Sequence, residues 1–164
     1  MRKHLYIFVL CTLSLYTLVG CKNDKNKEPE TFVSNVARPT WTISADYDFT
    51  SSMTAVVKVD LAAQYPDKAA DFILDSNDLL AAFSGNTCLG IASPQDGLFF
   101  LYIVSPSSDT SSSLTDTPSS ITLKYYSACY KNLFETIDTF EFKNDDIIGS
   151  VSNPFVPSWI VSEE

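Results

Sequence analysis

The strongest constraint on the fold of this 164-residue chain is a hydrophobic period of two, repeated in short blocks between residues 52 and 143. Side chains alternate faces along a strand, so this period marks strands with one buried face. From Ser52 to Leu61, Met53, Ala55, Val57, Val59 and Leu61 fall on one face, with Thr54, Lys58 and Asp60 on the other. Leu79 to Ser84 and Thr87 to Ser93 are apolar runs separated by Gly85-Asn86, a pair suited to a two-residue hairpin turn. Gly97 to Ser105 is apolar on both faces, the pattern of a central strand. Ile121, Leu123 and Tyr125 alternate with Thr122 and Lys124. Phe140 and Phe142 alternate with Glu141 and Lys143, with Leu133 to Ile137 an earlier segment of the same strand. Gly90, in mid-strand, marks a bulge or a close backbone approach. Helical patterning is confined to Asp67–Leu74, two turns at most. The pattern predicts an all-β domain over residues 41–161: an antiparallel β-sandwich, immunoglobulin-like or jelly-roll-like, with at most one short helix. Residues 105–120, rich in Ser, Thr and Asp, are expected to be either a mobile surface loop or a linker between strands.

The N-terminus belongs to a different regime. Arg2, Lys3 and His4 precede an apolar run from Leu5 to Leu15, too short for a spanning helix and suited to an export signal. Its end, Leu18-Val19-Gly20-Cys21, resembles the lipobox of bacterial lipoproteins. That resemblance implies removal of residues 1–20 and acylation of Cys21, so that lipid chains hold the mature protein on a membrane. Residues 21–40, polar and punctuated by Pro29 and Pro39, are expected to be the lipidated N-terminus and a flexible tether. The expected location is the bacterial cell envelope, at the outer membrane. Residues 22–28 mix both charge signs, and both the surface and the periplasmic face stay open.

Charge and composition narrow the chemistry. Without residues 1–20 the chain keeps 9 Lys+Arg against 20 Asp+Glu, a formal charge of −11. Such a surface repels phosphate backbones, so no nucleic-acid partner is expected. The single histidine, His4, leaves with the signal, which removes hydrolases with a histidine base and metal sites built on imidazole. Of the four cysteines, Cys11 leaves and Cys21 is modified. The remaining pair, Cys88 and Cys129, is expected to form a structural disulfide in an oxidising compartment. Two free thiols or a redox pair are the alternatives.

Few other residues suggest chemistry. Asp46 with Asp48 and Asp145 with Asp146 are the candidate carboxylate pairs, but neighbours on a strand do not face one another as a glycosidase requires. Asp75, Asn77 and Asp78 offer oxygen ligands at short spacing, a weak calcium site that an Asx-type turn explains equally well. Trp41, Trp159, Tyr126 and Tyr130 are the candidate ligand-binding aromatics, since sugar rings pack on aromatic faces. Against that, aromatic side chains also fill cores, and Trp41 at the first strand and Trp159 near the end can seal a sandwich.

A wider resemblance rests on an ordered set of residues. Trp41, Tyr47 and Ser52-Met53-Thr54 are followed by residues 80–85, then Cys88, Gly90 and Ala92. Residues 98–101 with Ile103, residues 121–124 with Tyr126, and Phe142, Asp145, Ile148, Gly149 and Pro154 complete the order. The set is similar to a β-sandwich module that recurs in exported and surface proteins of Bacteroidota, and it covers residues 41–157. It implies no catalytic residues, and in some members it implies cysteines near the positions of Cys88 and Cys129. The resulting expectation is a non-enzymatic envelope lipoprotein that binds a glycan or a protein. A structural accessory of an envelope assembly and a carboxylate enzyme acting on polysaccharide are the alternatives.

Overall fold

The computed structural model describes residues 32, 35–43, 51–105 and 120–162. Two sheets pack face to face, and the fold is an all-β sandwich. Sheet I has the order β4-β5-β1-β9, built from β1 (Ser52–Val57), β4 (Pro94–Gln95), β5 (Leu98–Val104) and β9 (Ile147–Ile148). Sheet II has the order β10-β7-β6-β2-β3, from β2 (Leu79–Ser84), β3 (Thr87–Ala92), β6 (Ser120–Ser127), β7 (Asn132–Thr136) and β10 (Trp159–Val161). The two-residue β8 (Phe140–Glu141) also pairs with β6. All pairings are antiparallel except β1 with β9.

The period-two blocks give the core directly. Met53, Ala55 and Val57 face inward opposite Ile103, Leu101 and Phe99 on β5. Leu80 and Ala82 of β2, Leu123 and Tyr125 of β6, Phe134 and Trp159 meet them from sheet II. Gly85 and Asn86 turn β2 into β3, with Ser84 opposite Thr87 and the left-handed φ of +57° at Gly85. A second hairpin turn, Asp96-Gly97, joins β4 to β5, so Gly97 belongs to the turn and not to the strand.

Gly90 shows both devices expected of it. The register shifts between Ala82 and Phe83, leaving Leu89 as the extra residue of a bulge. A Cβ on Gly90 would lie 2.3 Å from the backbone oxygen of Tyr102, so only glycine lets β3 approach β5 there. The chain then crosses from sheet II into sheet I, where β4 pairs with β5.

Three expected elements fall elsewhere. The helix is α1 (Leu61–Gln64), not Asp67–Leu74, because the Asp60 side chain accepts from Ala63 N at 3.0 Å and ends the β1 pattern there. Leu61, assigned above to the strand, is buried at the start of that helix. Trp41 opens no strand; residues 35–43 form an irregular strap. Leu133 to Ile137 and Phe140-Glu141 are indeed two segments laid along β6, with Lys124 opposite Glu135 and Ser120 opposite Glu141. At the break the Thr136 hydroxyl takes over as acceptor for Leu123 N, at 3.0 Å.

The tether also ends earlier than the composition suggests. Phe32 meets Tyr65, Tyr130 and Phe134 edge-on, with ring centroids 5.0, 5.6 and 5.2 Å away. From there the strap crosses the outer face of sheet II. Val36 packs over Leu79, Tyr126 and Leu133, and Trp41 and Ile43 over Ala81, Phe83 and Cys88. Val36 N donates to Lys131 O at 3.0 Å, and Arg38 Nε to Asn77 O at 3.0 Å. Tyr126 is buried beneath this strap.

Candidate interaction surface

The two outer sheet faces are unlike each other. That of sheet II is crossed by the strap. On sheet I, outward residues of β5 alternate with the core set: Phe100 is 41% and Tyr102 48% exposed, while Phe99, Leu101 and Ile103 are buried. Tyr102 lies opposite Thr54 and Phe100 opposite Val56, and Thr54 is flanked on its other side by Ile147, 67% exposed. These residues form one apolar, aromatic strip across three strands, with no charged side chain in the paired positions. Exposed aromatic side chains side by side on a sheet face suit either a sugar ring or an apolar protein surface. The central-strand expectation for Gly97 to Ser105 holds for pairing, because β5 lies between β4 and β1. It fails for burial, since only one face of β5 is in the core.

Sheet edges offer less. In β10, residue 159 points its backbone groups away from β7, and the Gln64 side chain meets both of them. Trp159 N donates to Gln64 Oε1 at 2.8 Å, and Gln64 Nε2 donates to Trp159 O. Tyr65 Oη donates to the same carbonyl at 2.5 Å. One amide side chain thus imitates a neighbouring strand and closes the edge. The edge of β1 is covered by residues 145–155: Asp145 N donates to Ser52 O, Thr54 N to Asp146 O, Phe155 N to Val56 O and Lys58 N to Phe155 O. At these two places strand addition, one recurrent binding mode of such domains, finds little free backbone.

The expected aromatic platform is dispersed. Trp159 is fully buried between the sheets, 5.7 Å from the Tyr125 ring, because its alternate position along β10 points inward. Tyr126 lies under the strap, Trp41 stands edge-on to Phe83 at 5.6 Å, and Tyr130 stacks on Phe72 at 6.2 Å. These four side chains form no common surface, which corrects that expectation.

The disulfide is also corrected. Cys88 and Cys129 are free thiols, the first buried and the second exposed. Cys88 lies beside Phe83, which is level with Thr122 of β6, whereas Cys129 sits in the turn beyond Ser127 at the other end of that strand. Thr122 to Ser127 alone spans about 17 Å at strand rise, beyond the ~7 Å Cα separation that a bridge tolerates. Burial pushes the Cys88 thiol above its ordinary range, and its sulfur lies 3.7 Å from Gly90 O.

Asp75, Asn77 and Asp78 form a hydrogen-bonded turn. Asp75 Oδ1 accepts from Asn77 N at 2.7 Å and from its Nδ2 at 2.9 Å. Asp78 is fully buried, and its carboxylate accepts from Tyr125 Oη at 2.7 Å, Ala128 N at 2.7 Å and Asp75 N at 3.0 Å. Burial pushes Asp78 above the ordinary carboxylate range even against these donors, and pushes the Tyr125 hydroxyl up as well. Among the described residues no group of three or more His, Cys, Asp or Glu side chains is placed to hold a metal. Asp75 Oδ1 and both Asp78 carboxylate oxygens are engaged by protein donors, so the geometry of the trio is accounted for by the turn and by the clamp onto the β6–β7 connection.

Asp145 and Asp146 lie in an exposed turn, Asp145 with φ of +62°, and Asp146 Oδ1 accepts from Ile147 N at 2.8 Å. They do not face a second carboxyl across a cleft. Asp46, Asp48 and Cys21 lie outside the described residues. A shallow groove of about 300 Å³ lined by Asp60, Gln64, Val156 and Ser158 is the concavity next to α1, and it contains one carboxyl group. No helix among the described residues is long and apolar enough to cross a membrane. No family model, no curated protein and no solved structure matches this chain.

Sequence reasoning passed over Phe100 and Tyr102 because every residue of their strand is apolar. The available signal was parity: both share the face of Thr54 across the sheet, not that of Met53 and Ala55.

Proposed function

We propose that the chain is a cell-envelope lipoprotein, held on its membrane by lipid at Cys21, whose sandwich is a non-enzymatic binding module for a glycan or protein partner. The observation that carries the binding part is the asymmetry of the two outer faces. The chain covers one with its own strap, while the other presents Phe100, Tyr102 and Ile147 to solvent. The anchor part rests on the Leu18-Val19-Gly20-Cys21 motif and the export signal before it.

The acidic balance of the mature chain favours a neutral or basic partner over an acidic polysaccharide. The test is a binding screen of the soluble domain, residues 32–162, against immobilised neutral glycans and envelope proteins. A Phe100→Ser/Tyr102→Ser double variant runs in parallel. Saturable binding by the natural domain, lost in a folded double variant, is the expected result. Binding of equal strength by both would remove the strip from the proposal, and no saturable binding at all would overturn the module reading.

A further inference from the structure

We infer that the strap fixes which end of the domain meets the membrane: the end carrying Phe32, Tyr65 and the Cys129 turn faces the bilayer. This rests on the lipid-anchor reading above. Phe32 is seated among Tyr65, Tyr130 and Phe134, and Lys68 Nζ lies 5.8 Å from its ring centroid. The fold therefore holds the chain at this residue, so the distance between lipid and domain cannot exceed the reach of the chain from Cys21 to Phe32. Eleven residue steps reach at most about 40 Å when fully extended.

The topology defines two ends. β1 finishes, β2 starts and β6 finishes at the Phe32 end, where Ala128 to Lys131 turn into β7. At the opposite end lie the Gly85-Asn86 turn, Ser52, Ser120 and Lys143 to Asp146. β6 has eight residues, about 24 Å of strand rise between the ends. With the Phe32 end toward the bilayer, the eleven steps have only a short distance to bridge. With the domain inverted, those eleven steps must span the length of the sandwich, about three-fifths of their maximum reach. The same orientation sets the strands upright and holds the Phe100–Tyr102 strip at the side of the domain, clear of the lipid surface.

Cys129, an exposed thiol at the Phe32 end, supplies the probe. The mature lipoprotein carries a donor dye at Cys129, or at Lys143→Cys in a Cys129→Ser background. Each is reconstituted into phosphatidylethanolamine/phosphatidylglycerol vesicles containing a headgroup-linked acceptor. Energy transfer from position 129 is expected to exceed that from position 143. Phe32→Ala, which frees the strap and lengthens the slack, is expected to move the ratio toward one. Equal or reversed transfer in a protein shown by mass to carry acyl chains overturns this inference alone. Absence of acyl mass on Cys21 overturns the inference together with the anchor reading.

Discussion

Removing the Asp78 carboxylate is the sharpest perturbation of this fold. It accepts three hydrogen bonds, from Tyr125 Oη, Ala128 N and Asp75 N, and so ties β6, the turn before β2 and the β6–β7 connection to one buried point. In Asp78→Ala all three donors lose their acceptor. The Tyr125 ring is fully buried, so its hydroxyl has no route to water, at a cost of about 2 kcal/mol. The two backbone groups are part-buried and cost about 1 kcal/mol each. Relief of the desolvated charge offsets part of this, leaving a net loss of about 3 kcal/mol. For a domain of this size that is a drop in Tm of roughly 12 °C, measurable by circular dichroism. A double-mutant cycle with Tyr125→Phe should give a coupling of about 1.5–3 kcal/mol, the range of a hydrogen bond to a charged group. A loss below about 1 kcal/mol for Asp78→Ala, or a coupling near zero, would refute the clamp. The sign of the pH dependence follows from the raised folded-state pKa of Asp78. Between the ordinary carboxylate value and that raised value the folded state holds a proton that the unfolded chain has released. This contribution to stability is present in acid and is lost as the pH rises through the folded-state pKa. Urea titrations of the natural domain and Asp78→Asn at a series of pH values should differ in this slope, which the variant lacks.

A domain cut at residue 41 should be less stable than one cut at residue 32, by about 3 kcal/mol in urea denaturation, because it lacks the Phe32, Val36 and Arg38 contacts; equal midpoints would show that the strap is not part of the fold. Gly90→Ala should cost about 3 kcal/mol, since its Cβ meets the Tyr102 carbonyl at 2.3 Å and backbone must move. A neutral result in thermal melts would contradict that close approach. In the soluble domain, one thiol, Cys129, should react with a maleimide under native conditions and Cys88 only after denaturation. No reactive thiol in denaturant without reductant would restore the bridge.

Much of the sandwich was legible because alternation survives wherever one face of a strand meets water. Met53, Ala55 and Val57 identify the inner face of β1 on sight, and Gly85-Asn86 identifies the β2–β3 hairpin. Legibility failed where one pattern serves two environments. The apolar run of β5 conceals that Phe100 and Tyr102 are outside, and Trp159 gives no local sign that it is inside. Cysteine pairing depends on register across three strands, which no local spacing reveals. Phe32 is the single aromatic residue of a polar stretch, and its partners come from two distant segments, Tyr65 after α1 and Tyr130 with Phe134 around the start of β7. The Gln64 cap on β10 likewise joins residues 95 positions apart.

The central claim is that the outer face of sheet I meets a partner in the cell envelope. A photoreactive phenylalanine analogue placed at Phe100 of the full-length protein in living cells tests it most directly, with the same analogue at exposed Asp67 as control. A discrete crosslinked species from position 100 and none from position 67 is the predicted result. No adduct from position 100, or the same adducts from both, would contradict the claim.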